Sequence, residues 1–231
     1  MSARHRKKIC AYCGEFKKLT KDHVPPKLLL EEPYPPNLWT VPSCHDCNAS
    51  FQEDDKYTRT ALAQDVRASN NAAAQHNLPA IIRSLQKPHA RKLAEYIASH
   101  TRPTDILGPD GTPFGQVIEL DRERVNRTGA RILRALYFIE MNRRLPSHAI
   151  LRIASKPGLT ADHPDMLTLG RAWRAVTDHR DGSIGTAFSY TAAVGKDVSF
   201  WLLLLYDYFF WGATIDERRA SEREQTPYVS P

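Results

Sequence analysis

Long apolar runs are scarce in this chain of 231 residues. The longest, residues 198–211, is too short to cross a bilayer as a helix and contains Asp207. No membrane span is expected. The basic start, residues 1–8, is followed by no apolar stretch, so no secretory leader is expected and the cytoplasm is the expected compartment. Glycine is low, at 11 against 16 prolines, and nothing repeats, which argues against collagen-like and solenoid architectures. Cysteine is confined to four positions, none beyond residue 47.

What is present is ordinary in bulk and uneven in placement. Apolar residues make up 42% and charged residues 25%, enough for a soluble chain to bury a core. The length suits one compact domain with a smaller unit beside it. Of the net charge of +6, all lies in residues 1–30, where eight Lys or Arg face two acids; the rest holds 24 of each sign. A basic excess at one end reads as a footprint for a polyanion, with a solvated basic tail as the plain alternative.

The cysteines form two pairs, Cys10-x-x-Cys13 and Cys44-x-x-Cys47. Each CxxC makes a tight knuckle that aims two thiolates at one ion, so four thiolates predict a closed, structural Zn²⁺ site. Disulfides are disfavoured in a cytosolic chain. His45, inside the second knuckle, is expected to be exposed because four sulfurs already complete the set. Thirty residues separate the pairs, more than a zinc ribbon requires, so the insert is expected to carry chemistry.

That insert contains Lys17, Lys18, Lys21, Asp22-His23-Val-Pro-Pro-Lys27 and Asn37, and Asn48 directly follows the last cysteine. Phosphodiester cleavage needs a base for water and a cation for the developing charge. A histidine titrating near neutrality, His23, suits the first role. Asp22 and Asn48 are hard oxygen donors suited to Mg²⁺ or Mn²⁺. Lys17, Lys18, Lys21 and Lys27 suit contacts with the phosphate backbone. Residues 38–41 read as a strand ended by Pro42, and Ser50 with Glu53 reads as the cap of a following helix. Glu53, Asp54 and Asp55 read as a solvated acidic turn, with metal binding as the alternative.

In this combination the chain resembles the HNH nucleases, whose ββα-metal motif is often stapled by a four-cysteine zinc. It looks most like the zinc-containing branch that includes the phage endonuclease VII type of Holliday-junction resolvase. The resemblance covers residues 10 to about 57. It implies His23 as general base, Asp22 and Asn48 as ligands of a catalytic divalent cation, and Asn37 as the residue bracing the loop that orients His23. It also implies DNA as the partner, with RNA not excluded. The family's lysine a few residues beyond the last motif position has no clear counterpart, since residues 51–55 are apolar and then acidic.

Downstream, residues 57–76 are helix-prone, Leu78-Pro79 reads as an interruption, two short helices follow, and residues 101–112 read as a linker. A long amphipathic helix is expected over residues 121–142. Residues 149–154, 186–192 and 198–215 read as strands, with 195–197 as a turn. The expected fold class is α+β: a nuclease domain in residues 1–57, a helical segment and linker in 58–112, an α+β unit with an antiparallel hairpin in 113–216, and a tail in 217–231. The apolar run at 200–211 reads as a core strand, with a homodimer face as the alternative. A metal-dependent HNH endonuclease accounts for more of these residues than a non-catalytic zinc-ribbon nucleic-acid-binding protein or a zinc-stapled adaptor does.

Overall fold

The computed structural model describes residues 9–105, 107, 110–112, 116–155, 167, 170–171 and 173–216. The expected tail, 217–231, lies outside them. The fold is mixed α and β.

The first cysteine pair turns back on itself. The Gly14 amide donates to the Cys10 carbonyl at 3.0 Å, and Gly14 adopts φ of 80°, a left-handed conformation that glycine enters without strain. Strand β1 (Leu19–His23) then pairs antiparallel with β2 (Thr40–Cys44), setting Asp22 opposite Val41 and His23 opposite Thr40. Pro42, expected to end the second strand, lies inside it opposite Lys21. It fits because its carbonyl points away from β1 and accepts the Ala11 amide at 2.8 Å. Its missing N–H faces the same outer edge, where no ladder bond is lost.

Helix α1 (His45–Ser50) opens inside the second knuckle and runs on into α2 (Gln52–Ala63). The helix therefore starts earlier than the Ser50 cap predicts. Cys44 is its N-cap, with the sulfur accepting from the Cys47 amide, while the Ser50 hydroxyl donates back to the Cys47 carbonyl at 2.8 Å. Helix α3 (Ala72–Leu85) passes through Pro79, where an interruption was expected. Gln75 and Pro79 lie on its exposed side, so the carbonyl that Pro79 leaves unbonded reaches water. After α4 (Arg91–Ser99), the expected linker contributes β3 (Thr101–Pro103), which pairs with β4 (Gln116–Ile118).

The long helix α5 (Arg122–Met141) stands where its periodicity places it. The Asp121 carboxylate accepts the Arg124 amide at its start, and left-handed Asn142 ends it. The remaining strands are β5 (Ile150–Ser155), β6 (His179–Ile184), β7 (Phe188–Val194), β8 (Val198–Leu205) and β9 (Tyr208–Ile215). They form one antiparallel sheet in the order β5-β9-β8-β7-β6. The run 198–215 is thus a hairpin and not one strand. Tyr206 and Asp207 take φ of 52° and 62°, making a two-residue turn without the Asn-Gly signature. Tyr206 is held there by burial: its hydroxyl donates to the Leu29 carbonyl at 2.7 Å and accepts from Asn77.

Helix α5 lies flat on this sheet because two glycines allow it. A Cβ on Gly129 would meet Ile153 at 2.8 Å and the Phe210 ring at 2.9 Å; one on Gly212 would meet Leu133 at 2.4 Å. The N-terminal part of the chain joins the same core. Trp39, just before β2, packs edge-on against Phe188 and Tyr190 and close over Gly182. A single apolar cluster runs from Cys10 to Phe210. Gly129→Ala should therefore lower the melting temperature, although the same change in an open helix would stabilise it by about 1 kcal/mol. Overpacking against a buried ring typically costs roughly 1–3 kcal/mol, and thermal denaturation reads the sign directly.

Candidate functional site

The hairpin and α1 bring all four cysteines together. Their sulfurs lie within 4.8 Å of one another, and Cys13 Sγ and Cys44 Sγ are 3.8 Å apart. With Zn–S bonds of about 2.3 Å, the edge of a tetrahedron of sulfurs is about 3.8 Å, so the donors and the spacing fit one tetrahedral metal ion. Burial pushes the Cys10 thiol up, but bonds from the backbone of Cys44, Cys13 and Tyr12 outweigh it and bring the thiol down to about 7. His45 points into solvent, its side chain 87% exposed, and is not a ligand.

His23 ends β1 half-buried. Burial lowers its pKa, Lys27 and Lys21 lower it further, and Asp22 opposes them. The imidazole is therefore neutral at physiological pH, the form a base requires. Its ring makes no hydrogen bond to another described residue. Lys21 is exposed near it, Lys18 is exposed at the opposite end of β1, and Lys27 lies over the Tyr34 ring at 4.8 Å from the centroid. Lys17 is engaged elsewhere, with Asp46 at 2.9 Å and Glu15 at 2.8 Å.

Three residues expected to work with His23 are positioned otherwise. Asn37 is exposed in the turn before β2, and its side chain makes no hydrogen bond among the described residues. Asn48 directs its amide at Thr20 Oγ1, 3.5 Å away. Asp22 is buried, because neighbouring side chains alternate across a strand and its own turns in toward the helices. There it accepts a hydrogen bond from Tyr12 at 2.5 Å and a two-pronged contact from Arg131. Both carboxylate oxygens of Asp22 are thus already bonded, while exposed Asn48 uses only its amide nitrogen in its contact with Thr20.

The centre of this arrangement escapes sequence inspection. Arg131 on α5 is buried between Asp22 and Asp55, with Phe51 against the face of its guanidinium at 4.7 Å. Burial works against its charge, but Asp55, Tyr12 and Asp22 outweigh that and raise its pKa. Asp55, expected on a solvated turn, is 3% exposed; Asp54 beside it binds Arg124 and Arg127. The available signal is the matching of two stripes: Arg124, Arg127 and Arg131 recur at helical spacing, and two adjacent acids sit on α2.

Among the described residues no helix is long and apolar enough to cross a membrane. Comparison with protein-family models, with curated proteins and with solved structures finds no match to this chain.

Two outcomes follow. Purified protein should carry one zinc per chain by elemental analysis, and Cys44→Ser should lose it and melt at a lower temperature. Arg131→Met should destabilise by about 3–5 kcal/mol, because it strands two buried carboxylates. Adding Asp22→Asn and Asp55→Asn to it should restore part of that loss in denaturant titrations.

Proposed function

We propose that this protein is a zinc-stapled endonuclease of the HNH type that hydrolyses phosphodiester bonds of DNA, with His23 as general base. The observation that supports it is the combination at the end of β1: a neutral, accessible imidazole with exposed Lys21 and Lys27 near it, on a hairpin clamped to a helix by four cysteines. His23 takes a proton from water as its oxygen attacks phosphorus. The bond to the leaving sugar oxygen breaks, and that oxygen takes a proton from solvent. The lysines offset the charge that gathers on the phosphoryl oxygens. The engaged state of Asp22 does not fit its expected role as a ligand of Mg²⁺ or Mn²⁺, and no step is routed through such an ion.

That engagement favours a second reading, a zinc-dependent nucleic-acid-binding protein without catalysis. Supercoiled plasmid, incubated with and without added Mg²⁺ or Mn²⁺, separates the two. The nuclease reading expects cleavage by the wild type and a loss of about a hundredfold or more in His23→Ala that still holds its zinc. Zinc-loaded wild type that retards labelled DNA but never cuts it establishes the binding reading.

The pH profile supplies a further check. Because the folded-state pKa of His23 is depressed, the base stays unprotonated below the ordinary histidine value. Activity should therefore persist at pH 6.5 and fall only as the pH drops through that lower value. An acid limb centred above 6.5 contradicts the role of His23.

A further inference from the structure

Charge balances over residues 31–231 taken together, but not along them. Residues 66–94 hold five Lys or Arg and no Asp or Glu, and the acids resume only at Glu95. The fold gathers most of this excess at one corner, where α3 ends and α4 begins. The Lys87 amide donates to the Ser84 carbonyl at 3.2 Å, and the Ala90 amide to the Lys87 carbonyl at 2.9 Å. The chain therefore rounds the corner in two tight turns. Arg83 and Lys87 lie one helical turn apart, and Lys92 follows closely in the first turn of α4. Arg83, Lys87, His89, Arg91 and Lys92 are all exposed.

Duties within the chain account for only part of this set. Arg83 stands in the last turn of α3, where a cation suits the helix dipole, and Arg91 is paired with Glu95 at 2.7 Å. The side chains of Lys87, His89 and Lys92 make no ion pair or hydrogen bond with another described residue. Lys92 also works against its own helix. That helix, α4, opens with no side-chain cap and no acid in its first turn, at the end where the dipole favours negative charge. Water solvates such groups, but their placement does not serve stability. An exposed, acid-free array of cations is the electrostatic footprint of a polyanion.

We infer that this corner is a second nucleic-acid contact, in which Arg83, Lys87 and Lys92 hold the phosphate backbone. The inference rests on the nucleic-acid partner that both readings above share, and it gives that partner a contact outside the zinc-stapled unit. The lysines near His23 act on the phosphate that reacts. The three cations at the corner position the strand and take no part in the chemical step. They are long side chains on an exposed turn, suited to phosphates and not to base edges, so this contact is independent of nucleotide sequence.

The test is binding of a fluorescent DNA duplex by full-length, zinc-loaded protein over a range of salt concentrations. Each phosphate contact contributes about 0.9 to the slope of log affinity against log salt, so R83Q/K87Q/K92Q should flatten the slope by about two to three. Its affinity should fall at least about tenfold, while R83K/K87R/K92R keeps both slope and affinity. In plasmid cleavage the glutamine variant should need about tenfold more protein to reach half its maximal rate, with that maximal rate unchanged. A glutamine variant with its zinc and the wild-type slope overturns the contact. So does R152Q/R174Q/K196Q, which removes three exposed cations elsewhere, if it flattens the slope equally, since net charge is then the cause. Vesicles of phosphatidylserine and phosphatidylcholine give another arm. A glutamine variant that releases such vesicles but keeps the duplex overturns the contact in favour of a membrane surface. Normal cleavage by that variant at an unchanged slope removes this contact and leaves the nuclease standing. A wild type that neither binds the duplex nor cuts plasmid removes both.

Discussion

One buried guanidinium ties the structure together. Arg131 comes from the middle of α5, Asp22 from β1 and Asp55 from α2, so a single charged cluster joins three segments far apart in sequence. Taking three charges out of water is expensive, and the attraction between them repays it only when every donor and acceptor is met. Tyr12, Thr128 and the face of Phe51 complete the set. This network specifies register more than it adds stability. A one-residue slip of β1 would turn Asp22 outward and leave Arg131 buried with a single partner.

The cysteine knuckles and this cluster are neighbours with separate tasks. Four sulfurs hold the ends of the hairpin and the start of α1. The arginine cluster holds that unit against α5, and α5 lies on the five-stranded sheet through Gly129 and Gly212. Trp39 makes a second attachment directly to the sheet. The position of His23 is thus determined from both sides, by the metal-binding knuckles below β1 and by the packed helix behind Asp22. Such fixed placement of an imidazole on a strand end is what the proposed role as proton acceptor requires.

The same placement explains why neighbouring residues have different uses. His23 and Asp22 are adjacent, but a strand sends them to opposite faces, one toward exposed lysines and the other into the protein. A dipeptide that resembles a base and its metal ligand is, in three dimensions, a half-open imidazole and a structural carboxylate. Arginines along α5 divide likewise. Arg127 and Arg131 neutralise acids of the fold, and Arg134 lines a pocket beside Cys13 and Cys47.

Local signals were legible in the sequence. Two CxxC pairs marked the metal-binding cluster, because the spacing alone makes a knuckle. The amphipathic period marked α5, and short strand-like runs marked β5 and β7. Other features depended on partners distant in the chain. Pro42 remains in a strand because its carbonyl bonds to the first knuckle, and Pro79 remains in a helix because the Gln75 carbonyl it leaves unbonded lies on the exposed side. The turn at Tyr206 and Asp207 exists because a buried hydroxyl reaches Leu29 and Asn77. Above all, only the tertiary structure decided that Asp22 belongs to Arg131. Burial and charge pairing are properties of the whole fold, and a residue's nearest neighbours in sequence carry no record of what lies across the core from it.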